Sequence, residues 1–107
     1  MLKSFFDTSA VAAFARQVVT DLSRSIPPER VGDASSRMDK RRAQLDTLIR
    51  RRADALAASA SLNFYQKAKL GTLLQAAFAE AGYPETFGKP FAYAVVKLVA
   101  VASSQSR

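Results

Sequence analysis

The chain has 107 residues, a net charge of +7, no cysteine and no histidine. That length suits one domain able to bury its own core without disulfides or metals. The missing residue types exclude disulfides and thiolate chemistry, and remove the commonest general base and transition-metal ligand. The nine carboxylates are scattered, with no pair spaced for a glycosidase or two-metal centre. No catalytic residue, cofactor or metal site is therefore expected, and an enzyme is disfavoured. Alanine fills about a fifth of the chain, an excess of the best helix former that favours an all-α fold.

The first residues do not resemble a secretion signal. Lys3, Phe5 and Phe6 are followed at once by Asp7, so no long apolar run forms. The longest apolar run, 91–102, is interrupted by Lys97 and is too short to cross a bilayer. A cytoplasmic protein is expected.

A first helix is expected over about 8–24. Asp7 is a cap former, and Phe6 and Val11 have the spacing of a hydrophobic staple. Val11, Phe14, Val18 and Leu22 then recur at helical steps. Pro27 and Pro28 end the run, and residues 25–36 read as a loop. A second helix is expected over 35–59, with Asp33, Ser35 or Ser36 as cap. A third, capped by Ser61 or Asn63, covers 63–81. It places Phe64, Leu70, Leu74, Ala77, Phe78 and Ala81 on one face, with Gly71 where another backbone approaches closely. Gly82, Tyr83 and Pro84 form a helix stop, with glycine suited to the left-handed position.

Pro90 suits the first turn of a fourth helix over 90–102, and 103–107 is expected to fray. Alternating Phe91, Tyr93, Val95, Val99 and Val101 also fits a strand. Helix is preferred because a lone strand has no partner. The segment is apolar all round apart from Lys97, as in a bundle centre or a subunit interface.

The charge is uneven. Residues 1–36 balance, 37–54 carry a surplus of four positive charges, and 55–107 a surplus of three. On the second helix Met38, Leu45, Ile49 and Leu56 form a buried line bordered by Arg42 and Arg52. Arg42, Asp46, Arg50 and Asp54 form an i,i+4 charge ladder. Arg37, Lys40, Arg41 and Arg51, with Arg52 at the margin, make a basic stripe about 20 Å long, with Gln44 and Leu48 between. Such a stripe is a solvated face, a face paired with acids such as Asp21, Glu29 or Glu80, or a docking surface for an acidic protein or a phosphate backbone. Phe64 is expected in the core and Tyr65 outward. Lys67 and Lys97 read as snorkelling lysines.

The expected architecture is all-α, a single compact bundle of three to four helices with a long basic second helix. The expected function is a non-enzymatic protein–protein interaction or assembly module, self-association through 91–102 included. The alternative is a protein that binds nucleic-acid backbone without sequence specificity through Arg37, Lys40, Arg41, Arg51 and Arg52. Five phosphate contacts would give a slope of about −4.5 in log affinity against log salt. No small-molecule substrate is evident.

Overall fold

A computed structural model describes residues 6–105. They form an all-α bundle of four long helices: α1 (Ser9–Ser25), α2 (Ser36–Ser59), α3 (Phe64–Glu80) and α4 (Glu85–Gln105). A short 3₁₀ turn, Pro28–Arg30, lies between α1 and α2. The apolar segment 91–102 is helical, as the preferred expectation had it.

Each helix packs on two neighbours, in the order α1, α2, α4, α3 around the bundle. α1 and α3 run parallel. At one end Gln66 Nε2 donates to the Asp7 carbonyl at 2.7 Å, and at the other the Tyr83 hydroxyl donates to the Ile26 carbonyl. α4 runs antiparallel to α3, since Gly88 lies on Phe78 and Gly71 on Val96. α2 and α4 run parallel. Leu45 and Ile49 share a groove with Phe91 and Val95, while Ala57 and Ala58 share a cleft with Ala100 and Ser103.

The periodic apolar positions turn inward as expected. Val11, Phe14, Val18 and Leu22 are buried on α1, and Met38, Leu45, Ile49 and Leu56 on α2. Leu70, Leu74 and Phe78 follow on α3, and Ala92, Val95 and Val99 on α4. Burying each large side chain stabilises the fold by roughly 1.5–3 kcal/mol before entropy is counted. Asn63 and Gln66 form a reciprocal capping box at the start of α3. Ser35 Oγ accepts the Met38 N–H at 3.3 Å and caps α2. Gly82 takes φ +98°, and the Tyr83 N–H returns to the Phe78 carbonyl at 3.0 Å, closing α3 as its sequence implied.

Several boundaries and packings differ from expectation. α4 begins at Glu85, not at 90, so Pro90 sits inside it. The Pro84 carbonyl accepts the N–H groups of Phe87 and Gly88 and starts the helix, and Glu85 favours the positive first turn. Pro90 can leave only the Thr86 carbonyl without its helical donor, and both residues are exposed, where water supplies one. The helix also continues through residues 103–105, expected to fray; 106 and 107 lie outside the described residues.

Phe64 is 85% exposed rather than buried. It is the first residue of α3, and side chains there tilt toward the helix start, beyond the packed layer. Tyr65, expected outward, is half-buried and meets the Phe6 ring edge-on at 5.0 Å. Phe6 therefore packs across to α3, though the residue remains 53% exposed. The close backbone approach comes at Gly88, where an added Cβ would sit 3.3 Å from Phe78 Cβ. At Gly71 the nearest neighbour is Val96 Cγ2 at 3.6 Å, an ordinary contact.

A basic two-helix face as the candidate binding surface

Two devices set how α2 is presented. Asp33 accepts the Ser35 N–H at 2.8 Å, which holds the turn before the cap and keeps its carboxyl below the usual range. Arg42 then fastens the loop to the helix. Its Nη2 donates to the carbonyls of Asp33 at 2.6 Å and Val31 at 3.3 Å, and its Nη1 to Asp39 at 3.0 Å. Arg42 is therefore not a rung against Asp46. The loop carbonyls have few other donors, and a guanidinium fork can serve several at once. The next rung does form: Arg50 Nε meets Asp46 Oδ2 at 2.9 Å, and this bond raises the Arg50 pKa above its ordinary value.

Arg52, expected at the edge of the basic stripe, turns toward α1 instead. It makes a two-pronged pair with Asp21, whose side chain is 5% exposed. A buried carboxylate needs such a partner, because an unpaired charge there is strongly unfavourable. This pair locks α1 to α2 and neutralises both charges.

Arg37, Lys40, Arg41 and Arg51 remain. All four are exposed. Among the described residues, none lies within ion-pair distance of a carboxylate. Gln44 between them is exposed and Leu48 is half-buried.

The face continues onto α1, which was not anticipated. Arg16 and Arg24 are exposed and lack an ion pair among the described residues. Together with Gln17, Thr20, Asp21 and Arg52 they line a cleft of about 320 Å³ between α1 and α2. Residues 1–36 balance in charge, so the segment total concealed them. The available signal was their eight-residue spacing, which puts both opposite the Val11–Val18 line.

Other features are less coherent as sites. An apolar groove of about 200 Å³ lies between α2 and α4, with Phe87, Phe91 and Leu98 on one wall and Leu45 and Ile49 on the other. Lys67 lines a cleft with Ser59, Ser61, Ser103 and Ser104, where Ser103 Oγ is buried without a hydrogen-bond partner among the described residues. Lys97 is exposed and lies over the Tyr93 ring at 5.8 Å. Among the described residues no group of three or more carboxylates could hold a metal ion. No described helix is long and apolar enough to cross a membrane. No protein-family model, curated protein or solved structure matches the chain.

Proposed function

We propose that this protein is a non-enzymatic docking module that binds a polyanionic partner through the basic outer face of α2. The observation behind this is the open set of Arg37, Lys40, Arg41 and Arg51 on one rigid, capped helix, none of them ion-paired with a carboxylate among the described residues. From the sequence a protein partner comes first, self-association through 91–102 included. The geometry shifts the weight toward nucleic-acid backbone. α4 turns Gly88, Ala92, Val95, Val99 and Ala102 inward, while the face of one charge sign on α2 stays open. Three of its four cations are arginines, whose planar fork matches phosphate oxygens.

The reading as a protein–protein assembly module draws on α4. Tyr93 and Val101 are exposed on that helix, and the apolar groove runs beside it. Self-association through 91–102 would bring Lys97 of each copy into the same contact, which weakens that version. A cytoplasmic setting accords with a chain free of cysteine.

Titration of duplex DNA at several salt concentrations tests the proposal. Four phosphate contacts predict a slope of about −3.6, a loss of roughly 150-fold in affinity between 50 and 200 mM salt. Absence of binding at the lower salt, or affinity unchanged across the range, would overturn it.

A further inference from the structure

We infer that the cleft between α1 and α2 is a binding site for a short linear polyphosphate, held by the guanidinium groups of Arg16, Arg24 and Arg52. This site is separate from the outer face of α2 and does not depend on the nucleic-acid reading.

Arg16, Thr20 and Arg24 follow at four-residue steps, so they are successive neighbours along α1. Arg52 reaches the same cleft from α2, at the level of Asp21. Three guanidiniums therefore share a cleft of about 320 Å³ with one carboxylate. That carboxylate is already engaged: the Asp21 oxygens accept from Nε and Nη2 of Arg52, and the Asp21 side chain is 5% exposed. A guanidinium has five N–H donors, so Arg52 keeps three for another acceptor. Arg16 and Arg24 are exposed and have no ion pair among the described residues. The cleft thus carries a surplus of two positive charges, three cations against one anion. Its shape and lining select the ligand. From Arg16 to Arg24 the helix rises about 12 Å, with Arg52 entering between them. Three guanidinium forks spread over that length suit linked phosphoryl groups, one fork to each, whereas a lone phosphate meets them only in part. Thr20 turns its hydroxyl proton to the Arg16 carbonyl at 3.0 Å, so the donors left to a ligand are those of the arginines and the Gln17 amide. No aromatic ring lines the cleft, so a nucleobase has no platform there. Arg37, Lys40 and Arg41 lie beyond the end of α1, because Ile26 is level with Leu45 and Asp46. Arg41 stands about 16 Å along α2 from Arg52. That exceeds the Debye length of about 10 Å at 0.1 M salt, so the cations of the outer face supply an internal control.

The test is isothermal titration calorimetry of the full chain with tripolyphosphate, inorganic phosphate and adenosine triphosphate, in magnesium-free buffer at about 0.1 M salt. One tripolyphosphate should bind per chain, and inorganic phosphate at least about tenfold more weakly, since it forgoes one or more charge-assisted hydrogen bonds. Adenosine triphosphate should bind no more tightly than tripolyphosphate. The double substitution R16Q/R24Q should weaken tripolyphosphate at least about tenfold, and R37Q/R41Q by less than about twofold. Circular dichroism establishes that each variant is folded. Equal weakening by the two double variants would mean diffuse attraction to a basic protein and would overturn the site. So would inorganic phosphate binding as tightly as tripolyphosphate, adenosine triphosphate binding more tightly, or no binding of tripolyphosphate at all. None of these outcomes touches the duplex titration, which decides the nucleic-acid reading separately.

Discussion

α2 and α4 run side by side in the same direction and have similar lengths, 24 and 21 residues. Their surfaces differ in opposite ways. α4 buries several small residues, and Gly88 lets α3 approach closely at Phe78. α2 packs with Met38, Leu45 and Ile49 and turns a broad charged arc outward. The α3–α4 seam carries the tight packing of the fold. The α1–α2 layer carries the charge, and its strongest internal tie is the Asp21–Arg52 pair. Binding should therefore respond to substitutions on the open face of the α1–α2 layer, and stability to the buried positions of both layers.

The largest effect expected is at Phe78, which is fully buried and packs on Gly88, Tyr83 and Phe91. Phe78→Ala should destabilise by about 3–5 kcal/mol, a large share of the roughly 5–15 kcal/mol of a typical domain. Urea unfolding measures this. Arg37→Gln on the exposed face should move the same curve by less than about 0.5 kcal/mol. Comparable losses at the two positions would mean that Arg37 is held in the packing rather than open on the surface of α2.

Asp21→Ala joins the two properties. Removing the carboxylate leaves Arg52 unmatched, but Arg52 is 31% exposed and can swing toward water. A loss of about 1–3 kcal/mol is expected. The released guanidinium adds a cation beside Arg16 and Arg24, so the duplex salt slope should steepen by about 0.9. Lower stability with an unchanged slope would mean that Arg52 stays out of the binding face.

Tyr83 ties the end of α3 to the end of α1 through Ile26. Tyr83→Phe removes that hydrogen bond and should destabilise by about 1 kcal/mol. Burial pushes the Tyr83 hydroxyl above its ordinary pKa. The folded state thus holds this proton more tightly than the unfolded chain does. The associated stability is fully present below about pH 10 and is lost as pH rises through the higher folded value. In denaturant titrations, wild type should lose its advantage over Tyr83→Phe in that alkaline window. A constant difference across it would show that Tyr83 does not titrate differently on folding.

Local and periodic features were legible from the sequence. The four helices, the buried lines of α1 and α2, the glycine stop at Gly82 and the asparagine cap of α3 all depend on spacings within a few turns. What was not legible depends on which helix lies opposite which. Arg52 and Arg51 are neighbours in a run of three arginines, and only the position of Asp21, thirty-one residues away, separates their roles. Arg16 and Arg24 gained interest only when α1 was placed beside the open face of α2. Arg42 found loop carbonyls in place of the ladder partner four residues on, because the loop folds back along the helix. Pro90 misled as a start signal because Pro84 supplies an earlier one.

An effect of the opposite sign is expected at Gly71, one of two glycines that face the α3–α4 seam; the other is Gly88. Both lie inside helices, where glycine is less favourable than alanine by up to about 1 kcal/mol. At Gly71 a methyl group would meet only Val96 Cγ2 at 3.6 Å, so Gly71→Ala keeps the propensity gain and should stabilise by about 0.5–1 kcal/mol. For a domain of this size that is a rise of a few degrees in melting midpoint. At Gly88 the methyl would press to 3.3 Å on Phe78 Cβ, an atom fixed by the backbone of α3 and unable to rotate away. There the same substitution must separate two packed helices, and overpacking of that kind costs about 1–3 kcal/mol, enough to reverse the sign. If both alanine variants melt higher than wild type, the seam is looser than its geometry indicates. If Gly71→Ala also melts lower, α4 packs as closely at Val96 as at Gly88, and the tight contact extends along the whole helix pair.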